Sequence, residues 1–316
     1  MSMPLRLSVV ICTKDRQVEL RRCLASLAAQ SRFPDELIVV DASRIPVRDV
    51  LEDFEREALG RCAIRFEHTE PGLPRQRNIG ARASSGDVIV YLDDDVVLEP
   101  GYLGAIEEVY LRDREGRIGG VGGAQIPDPT PRLSPLRRLW DRVFLLESYG
   151  LGKLKRSGAP SYLFTPTTET EVEFLSGCNM SYRRCVLERL AFDERRSGYA
   201  LGEDLEFSYR VSRQYRLVLT PRARLDHRHA PHGRPSVALG TEQAVVNRFL
   251  FARDHVIRGP LGWLLYSWAE IGRLGLHLTR HPWPRLVGAA RGYRAVARML
   301  FARKERDGRA LVGALR

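Results

Sequence analysis

Three consecutive carboxylates, Asp93-Asp94-Asp95, close the apolar run Val88-Ile89-Val90-Tyr91-Leu92. Acidic groups crowded at the end of a buried strand repel one another and lose hydration, so positive charge has to sit among them. A divalent cation meets that need most simply. Asp93 and Asp95, at alternate strand positions, offer hard oxygen ligands that suit Mg²⁺ or Mn²⁺ and leave sites open for a diphosphate. The plain alternative is a polar turn, because aspartate is common there, and the neighbouring elements decide between the two.

Apolar runs rich in β-branched residues recur at Leu7 to Ile11, Leu37 to Val40 and Val88 to Leu92, with a shorter one at Ala63 to Phe66. Between the first two, Val18, Leu20, Leu24 and Leu27 follow helical spacing. Strand, helix and strand in that order predict a parallel βαβ unit, whose ligands bind beyond the carboxyl ends of the strands. The polar residues at those ends are Thr13, Asp15 and Arg16, then Asp41 and Ser43, then Asp93 to Asp95. There is no Gly-x-Gly-x-x-Gly and no Walker loop, which disfavours a dinucleotide dehydrogenase or a phosphate-loop ATPase. Further on, Gly116 to Pro166 reads as Gly- and Pro-rich loops, Glu171 to Ser176 as a strand, and Gly202-Glu203-Asp204 as the start of a helix.

The 316 residues are 44% hydrophobic and 28% charged, enough to bury one large α/β domain with an appendage. Five cysteines without a Cys-x-x-Cys pair indicate neither a disulfide framework nor a zinc knuckle, and reduced thiols fit the cytosol. The N-terminal apolar run is too short for the core of a signal peptide, so export is not expected. Of the net charge of +11, +9 falls between Thr241 and Arg316, which hold 14 Lys/Arg against 5 Asp/Glu. That basic stretch carries no nucleic-acid-binding pattern, so nucleic acid is not expected as a partner, and an anionic surface is.

Five ordered motifs, SVVICTKDR (8 to 16), VVDAS (39 to 43), RQRNIGARASSGDVIVYLDDD (75 to 95), FLSGCNMSYRR (174 to 184) and GEDLEFSYR (202 to 210), together resemble the family 2 glycosyltransferases. The resemblance runs from Ser8 to about Pro235. It implies a GT-A fold, an α/β architecture with a Rossmann-like, mostly parallel mixed sheet flanked by helices. It implies an inverting enzyme that moves a sugar from a nucleotide-sugar donor to an acceptor hydroxyl with the help of Mg²⁺ or Mn²⁺. Thr13, Asp15, Arg16, Asp41, Asp93 and Asp94 then hold the nucleotide sugar, and Asp93 and Asp95 the metal. Asp204 is implied as catalytic base, with Glu203 orienting its surroundings or binding acceptor, or acting as base in its place. A histidine downstream completes the metal site in many relatives; His227 is favoured, with His229 and His232 as competitors. Gly177 and Asn179 shape the acceptor side. Arg75 and Arg77 have the geometry to grip the donor's phosphates, or else form a solvated helix face. Asn78 caps or orients its segment, Asp87 serves a turn, and Cys178 is a packed residue.

The organisation expected is a catalytic domain over 1–240, divided into a nucleotide-binding half (about 1–115) and an acceptor half (about 116–240), and a basic helical extension over 241–316. The Gln-x-x-Arg-Trp motif of processive relatives is absent, which points to transfer of one or a few sugars and not polymer extrusion, in surface polysaccharide or glycolipid assembly. In the extension no apolar run is long enough to span a bilayer. Leu261, Leu264, Leu265, Trp268 and Ile271 nevertheless form an apolar stripe, and Arg291, Arg294 and Arg298 share a face of a following helix. This is the pattern of a helix lying in an anionic membrane interface, or of helices packed on the catalytic domain. The expected location is the cytoplasm, peripheral to the inner face of the plasma membrane. The donor can be UDP-, GDP- or dTDP-linked, and the acceptor a saccharide or a lipid-linked one. Two rival functions share the acidic nucleotide site: a sugar-nucleotide nucleotidyltransferase and a non-catalytic sugar-nucleotide binder. The first lacks its Gly-rich loop here, and the second would not need Asp204 and the Asp-x-Asp together.

Overall fold

The computed structural model describes residues 4–58, 60–196, 201–230, 235–278 and 282–313, with the side chains of 282 and 302–313 left aside. His232 lies outside the described residues. The chain forms two compact units, one made of residues 1–133, 148–154 and 160–233 and the other of residues 134–147, 155–159 and 234–316.

The first unit follows the sequence through β1 (Leu7–Thr13), α1 (Gln17–Ala28), β2 (Glu36–Asp41), α2 (Leu51–Ala58), β3 (Ala63–His68), α3 (Leu73–Ala83), β4 (Val88–Asp93), β5 (Val96–Leu98), α4 (Tyr102–Arg112) and β6 (Ile118–Gln125). After α5 (Pro135–Val143), which belongs to the second unit, come the short strands β7 (Ser148–Tyr149), β8 (Lys153–Leu154), β9 (Pro160–Tyr162) and β10 (Thr170–Val172). The unit closes with β11 (Asn179–Arg183), α6 (Arg184–Arg189), α7 (Glu203–Ser212) and β12 (Arg216–His227). Its main sheet runs β10-β12-β6-β11-β4-β1-β2-β3, with β5 paired to β12. Strands β4, β1, β2 and β3 are parallel, and β11 runs antiparallel between β4 and β6.

Continuous apolar strands are what a sheet covered on both faces requires. Leu7, Val9 and Ile11 of β1 join Leu37 and Val39 of β2 in a core shared with Leu20 and Leu24 of α1 and Phe54 of α2. Val10, Ile38, Val40, Ile89 and Tyr91, the alternate residues, face a second core with Phe207 and Val211 of α7. The period-2 alternation therefore places helices on both sides and leaves the strand ends free to carry polar groups.

Two expectations are corrected. The glycine-rich stretch read as loop contains β6, a fully buried strand deep in the sheet. Its glycines answer to close packing: a Cβ on Gly123 would lie 2.1 Å from the Ala223 carbonyl oxygen, and one on Gly120 would meet Leu217 and Tyr182 at 2.8 Å. The strand expected over Glu171 to Ser176 ends at Val172 and pairs with β12, and a separate strand, β11, lies beside β4.

The second unit is helical, comprising α5, α8 (Val237–Phe251), α9 (Gly259–His277) and α10 (Pro282–Gly313). It takes in residues 134–147 and 155–159 as well as the C-terminal stretch. Inside it, the buried Glu270 carboxylate accepts hydrogen bonds from Arg248 at 3.1 Å, Arg273 at 2.6 Å and Tyr293 at 2.8 Å, and Arg273 also reaches Glu147 at 2.9 Å. Burial alone would raise the Glu270 pKa, but the two guanidinium groups outweigh it and hold the group at about 2. The apolar stripe of α9 faces the other way: Leu261, Leu264, Trp268 and Ile271 are 58%, 65%, 41% and 57% exposed. On α5, Leu136, Leu139 and Val143 are exposed too. Phe144 stacks on Trp268 at a centroid distance of 4.7 Å, with Trp140 tilted against Phe144 at 4.5 Å, so α5 packs on α9. No helix among the described residues is long and apolar enough to cross a membrane.

Candidate active site

The carboxyl ends of β1, β2 and β4 gather the polar residues picked out in the sequence. Thr13 donates its hydroxyl to Asp94 at 2.8 Å, and Arg16 pairs with Asp94 at 2.9 Å and lies 3.7 Å from Asp95. Burial is the main force on Asp94, and it lifts the carboxyl to about 7 against the pull of Arg16 and Thr13. Asp15 is exposed, adopts a left-handed φ of 55°, and accepts the Arg44 amide. Asp41 is fully buried and accepts the amides of Ser43 and Val47. Its carboxylate thereby shapes the loop after β2.

Asp93, Asp95 and His227 bring one ligand atom each to within 4.8 Å of one another. His227 comes from the end of β12, and its Nε2 lies 3.0 Å from Asp95 Oδ1 and 4.0 Å from Asp93 Oδ2. The Ala230 amide donates to the other Asp95 oxygen at 2.7 Å and anchors the chain after β12 to the aspartate corner. Burial disfavours a charged His227, but its pair with Asp95 overrides that and lifts it to about 11. Burial likewise works to raise Asp95, and the His227 and Ala230 hydrogen bonds hold it at about 2. Two carboxylates and an imidazole form a donor set that fits a hard divalent cation with positions left over. His229 lies outside this cluster of three, with its ring centroid 4.0 Å from that of His227 and tilted by 46°.

Across from the corner stands the N-terminus of α7. Asp204 Oδ2 accepts the Gly177 amide at 2.8 Å, and Oδ1 accepts the Leu205 amide at 2.8 Å, which fixes the carboxylate where a helix dipole favours negative charge. A Cβ on Gly177 would meet the Arg77 guanidinium at 2.8 Å and the Asp204 side chain at 3.2 Å, so a larger residue here would have to displace Arg77.

Arg77 joins the two halves. It is 2% exposed, pairs with Glu203, donates to the Gly177 carbonyl at 3.0 Å, and lies 3.5 Å from Asp93. The sequence reading gave it a phosphate or a solvated face; packing against Phe192 and the surrounding carboxylates makes it an internal brace instead. Burial pushes Glu203 up to about 7 even with Arg77 beside it. Arg75, by contrast, is half exposed and 3.7 Å from Glu194.

The remaining candidates are structural. Asn78 exchanges hydrogen bonds with the Phe192 backbone and so orients that segment, and Asp87 accepts the Arg6 amide. Asn179 is buried; its amide group is engaged with both polar backbone atoms of Gly123 and with the Tyr102 hydroxyl. Gln125 and Ser176, which the sequence did not single out, border Cys178 and Gly177. A buried glutamine at the end of a glycine-rich strand was the available signal, hidden by the reading of that stretch as loop.

Two predictions follow from this geometry. Any cation bound by Asp93, Asp95 and His227 must displace the proton His227 carries at neutral pH, so Mn²⁺ affinity is expected to rise by up to about tenfold per pH unit. Calorimetric titration at pH 6 to 8 would measure it, and an affinity indifferent to pH would remove His227 from the ligand set. Arg77→Met would strand Glu203 and Asp93 without their cation, with an expected loss of about 3–5 kcal/mol in urea denaturation; a loss under about 1 kcal/mol would mean the brace is dispensable.

The model of glycosyl transferase family 2 matches residues 8–191. Among characterised relatives, a glucosyl-dolichyl phosphate glucuronosyltransferase of Haloferax volcanii is 24% identical over 234 residues, covering 71% of this chain and 69% of its own. A validoxylamine A glucosyltransferase of Streptomyces hygroscopicus subsp. limoneus is 26% identical over 271 residues, and the chain spans 80% of itself but only 56% of that protein. Among solved structures, the mannosyltransferase PcManGT from Pyrobaculum calidifontis, in complex with GDP-Man and Mn²⁺, superposes with a TM-score of 0.54 at 20% identity, covering 98% of this chain and 81% of its own. The fold is of the GT-A type. With the family model covering more than half of its residues, this chain belongs to glycosyl transferase family 2 and is a glycosyltransferase.

Proposed function

We propose that the enzyme transfers a sugar from a nucleotide-sugar donor to an acceptor hydroxyl in one inverting, metal-assisted displacement. One observation carries this reading: the Asp93, Asp95 and His227 cluster and the Asp204 carboxylate lie on the same sheet edge, linked through Arg77 and Gly177. Asp93, Asp95 and His227 would hold Mg²⁺ or Mn²⁺, which when bound stabilises the charge developing on a leaving diphosphate. Thr13, Asp15, Arg16 and Asp94 line the nucleotide side, with Asp41 shaping the loop beside them.

Asp204 takes the acceptor's proton as its oxygen attacks the anomeric carbon from the face opposite the diphosphate, and inversion follows because one bond forms as the other breaks. Its two backbone amide contacts keep the carboxylate aimed, while Glu203, bound to Arg77, positions the helix end. Positioning both substrates supplies a further part of the rate. Asp204→Asn is expected to lower turnover by about 10²–10⁴ while donor nucleotide binding persists. Asp95→Ala should weaken Mn²⁺ and nucleotide binding together. Turnover of Asp204→Asn close to wild type would overturn the assignment of the base, and screening UDP-, GDP- and dTDP-sugars would identify the donor.

The acceptor belongs, in this reading, to surface polysaccharide or glycolipid assembly at the cytoplasmic face of an anionic membrane. The second unit carries 20 Lys/Arg against 7 Asp/Glu, a net +13 that leaves −2 on the first. An exposed apolar face containing tryptophan, on a basic helical unit, suits burial in the headgroup region. The full chain is expected to float with vesicles containing phosphatidylglycerol and not with pure phosphatidylcholine, and Leu264→Glu/Ile271→Glu to remain in the soluble fraction. Flotation unchanged by those substitutions would dismiss the face as the contact.

A further inference from the structure

Ser43, the second residue after β2, is 3% exposed and makes hydrogen bonds through its amide, its hydroxyl and its carbonyl. The amide donates to Asp41 at 2.8 Å, Oγ accepts the Asp15 amide at 2.7 Å, and the carbonyl oxygen lies 2.9 Å from His68 Nε2. Asp15 follows β1 and His68 ends β3, so this one residue ties together the carboxyl ends of three neighbouring parallel strands. Neighbouring bonds reinforce the tie. The Arg44 amide donates to Asp15 Oδ1 at 3.1 Å and the Ala42 amide to the Thr13 carbonyl at 3.0 Å. Buried Gln76 of α3 donates its side-chain amide to the Thr13 and Val40 carbonyls at 3.0 and 2.9 Å.

The residue held by Ser43 has a conformation that side chains other than glycine disfavour. Asp15 has a φ of 55°, where Cβ crowds the following carbonyl. Its side chain is exposed, so core packing does not impose this backbone; the bonds to Ser43 and Arg44 do. Strained backbone of this kind persists only where its surroundings over-determine it. Arg16 comes next in the chain and pairs with Asp94 at 2.9 Å. The left-handed turn at Asp15 therefore sets the direction in which Arg16 leaves the loop and reaches the acidic edge.

We infer that Ser43 is a positioning residue for the donor nucleotide: its Oγ locks Asp15 in the left-handed conformation, so that Asp15 and Arg16 stand in place before the nucleotide arrives. The inference rests on the transfer reading above, in which Thr13, Asp15 and Arg16 line the nucleotide side, and it adds the residue that holds them. Ser43 is itself buried and acts through Asp15. It removes loop freedom that binding would otherwise have to freeze out.

The test is calorimetric titration of the full chain with Mn²⁺ alone, and with UDP, GDP and dTDP in the presence of Mn²⁺. Ser43→Ala keeps the amide and carbonyl and removes only the Oγ acceptor. It is expected to weaken nucleotide binding about tenfold while Mn²⁺ affinity stays within about twofold of wild type. Asp15→Gly and Asp15→Val both lack the carboxylate, but glycine takes a positive φ freely and valine does not. The valine variant should therefore bind nucleotide about tenfold more weakly than the glycine variant. Nucleotide affinity of Ser43→Ala within about twofold of wild type, or equal affinities in the two Asp15 variants, overturns the inference and leaves the transfer reading standing. A parallel loss of Mn²⁺ binding in Ser43→Ala would reveal a merely structural role and overturn it too. A wild-type chain that binds none of the three nucleotides would instead bring down the transfer reading.

Discussion

Five carboxylates, Asp93, Asp94, Asp95, Glu203 and Asp204, converge on one edge of the sheet, and their mutual repulsion is the constraint around which the first unit is organised. Each has a named counterweight. Arg16 and Thr13 hold Asp94, His227 and the Ala230 amide hold Asp95, Arg77 stands between Glu203 and Asp93, and two backbone amides hold Asp204. These counterweights come from β1, α3, β12 and the loops beside them, so the acidic edge and the tertiary fold require each other. The division of the counterweights is also functional. Asp94 and Glu203 are offset by guanidinium groups inside the protein, while Asp93, Asp95 and His227 keep ligand atoms facing one another.

The second unit buries an ionic cluster beside a small apolar core: Glu270, Arg273 and Asn247 are buried along with Val245, Phe249 and Tyr266, while Leu261, Leu264 and Ile271 are exposed. A buried ionic cluster adds little net stability compared with apolar packing, but it gives a helical unit a specific arrangement that a few apolar contacts would not. The unit pairs arginine and glutamate within and leaves the apolar stripe of α9, with Trp268, at its surface.

How legible all this was depends on the kind of signal. The parallel βαβ core was readable because fully covered strands must be continuously apolar, and the helix beginning at Glu203 because glycine and acidic residues mark a helix start. β6 was hidden because its glycines serve close packing against Ala223, Leu217 and Tyr182, and glycine in sequence signals a turn. Strands β7, β8 and β9 went unread for a different reason: each is two or three residues long, too short to show a period-2 pattern.

By itself, then, the sequence determined the family, the strand ends that carry acidic groups, and the sign and location of the charge surplus, because residue type and local spacing dictate these. Only the tertiary structure decided that Arg77 is buried between Glu203 and Asp93, that His227 joins Asp93 and Asp95 in a cluster with the His229 ring tilted beside it, and that Trp140 and Phe144 of α5 pack with Trp268 of α9. Those outcomes depend on which distant side chains meet, Arg77 with Glu203 126 positions away and Trp140 with Gly272 132 away. No pattern confined to a short stretch of chain encodes such a meeting; it is settled when the sheet closes and burial forces each charge to find its partner.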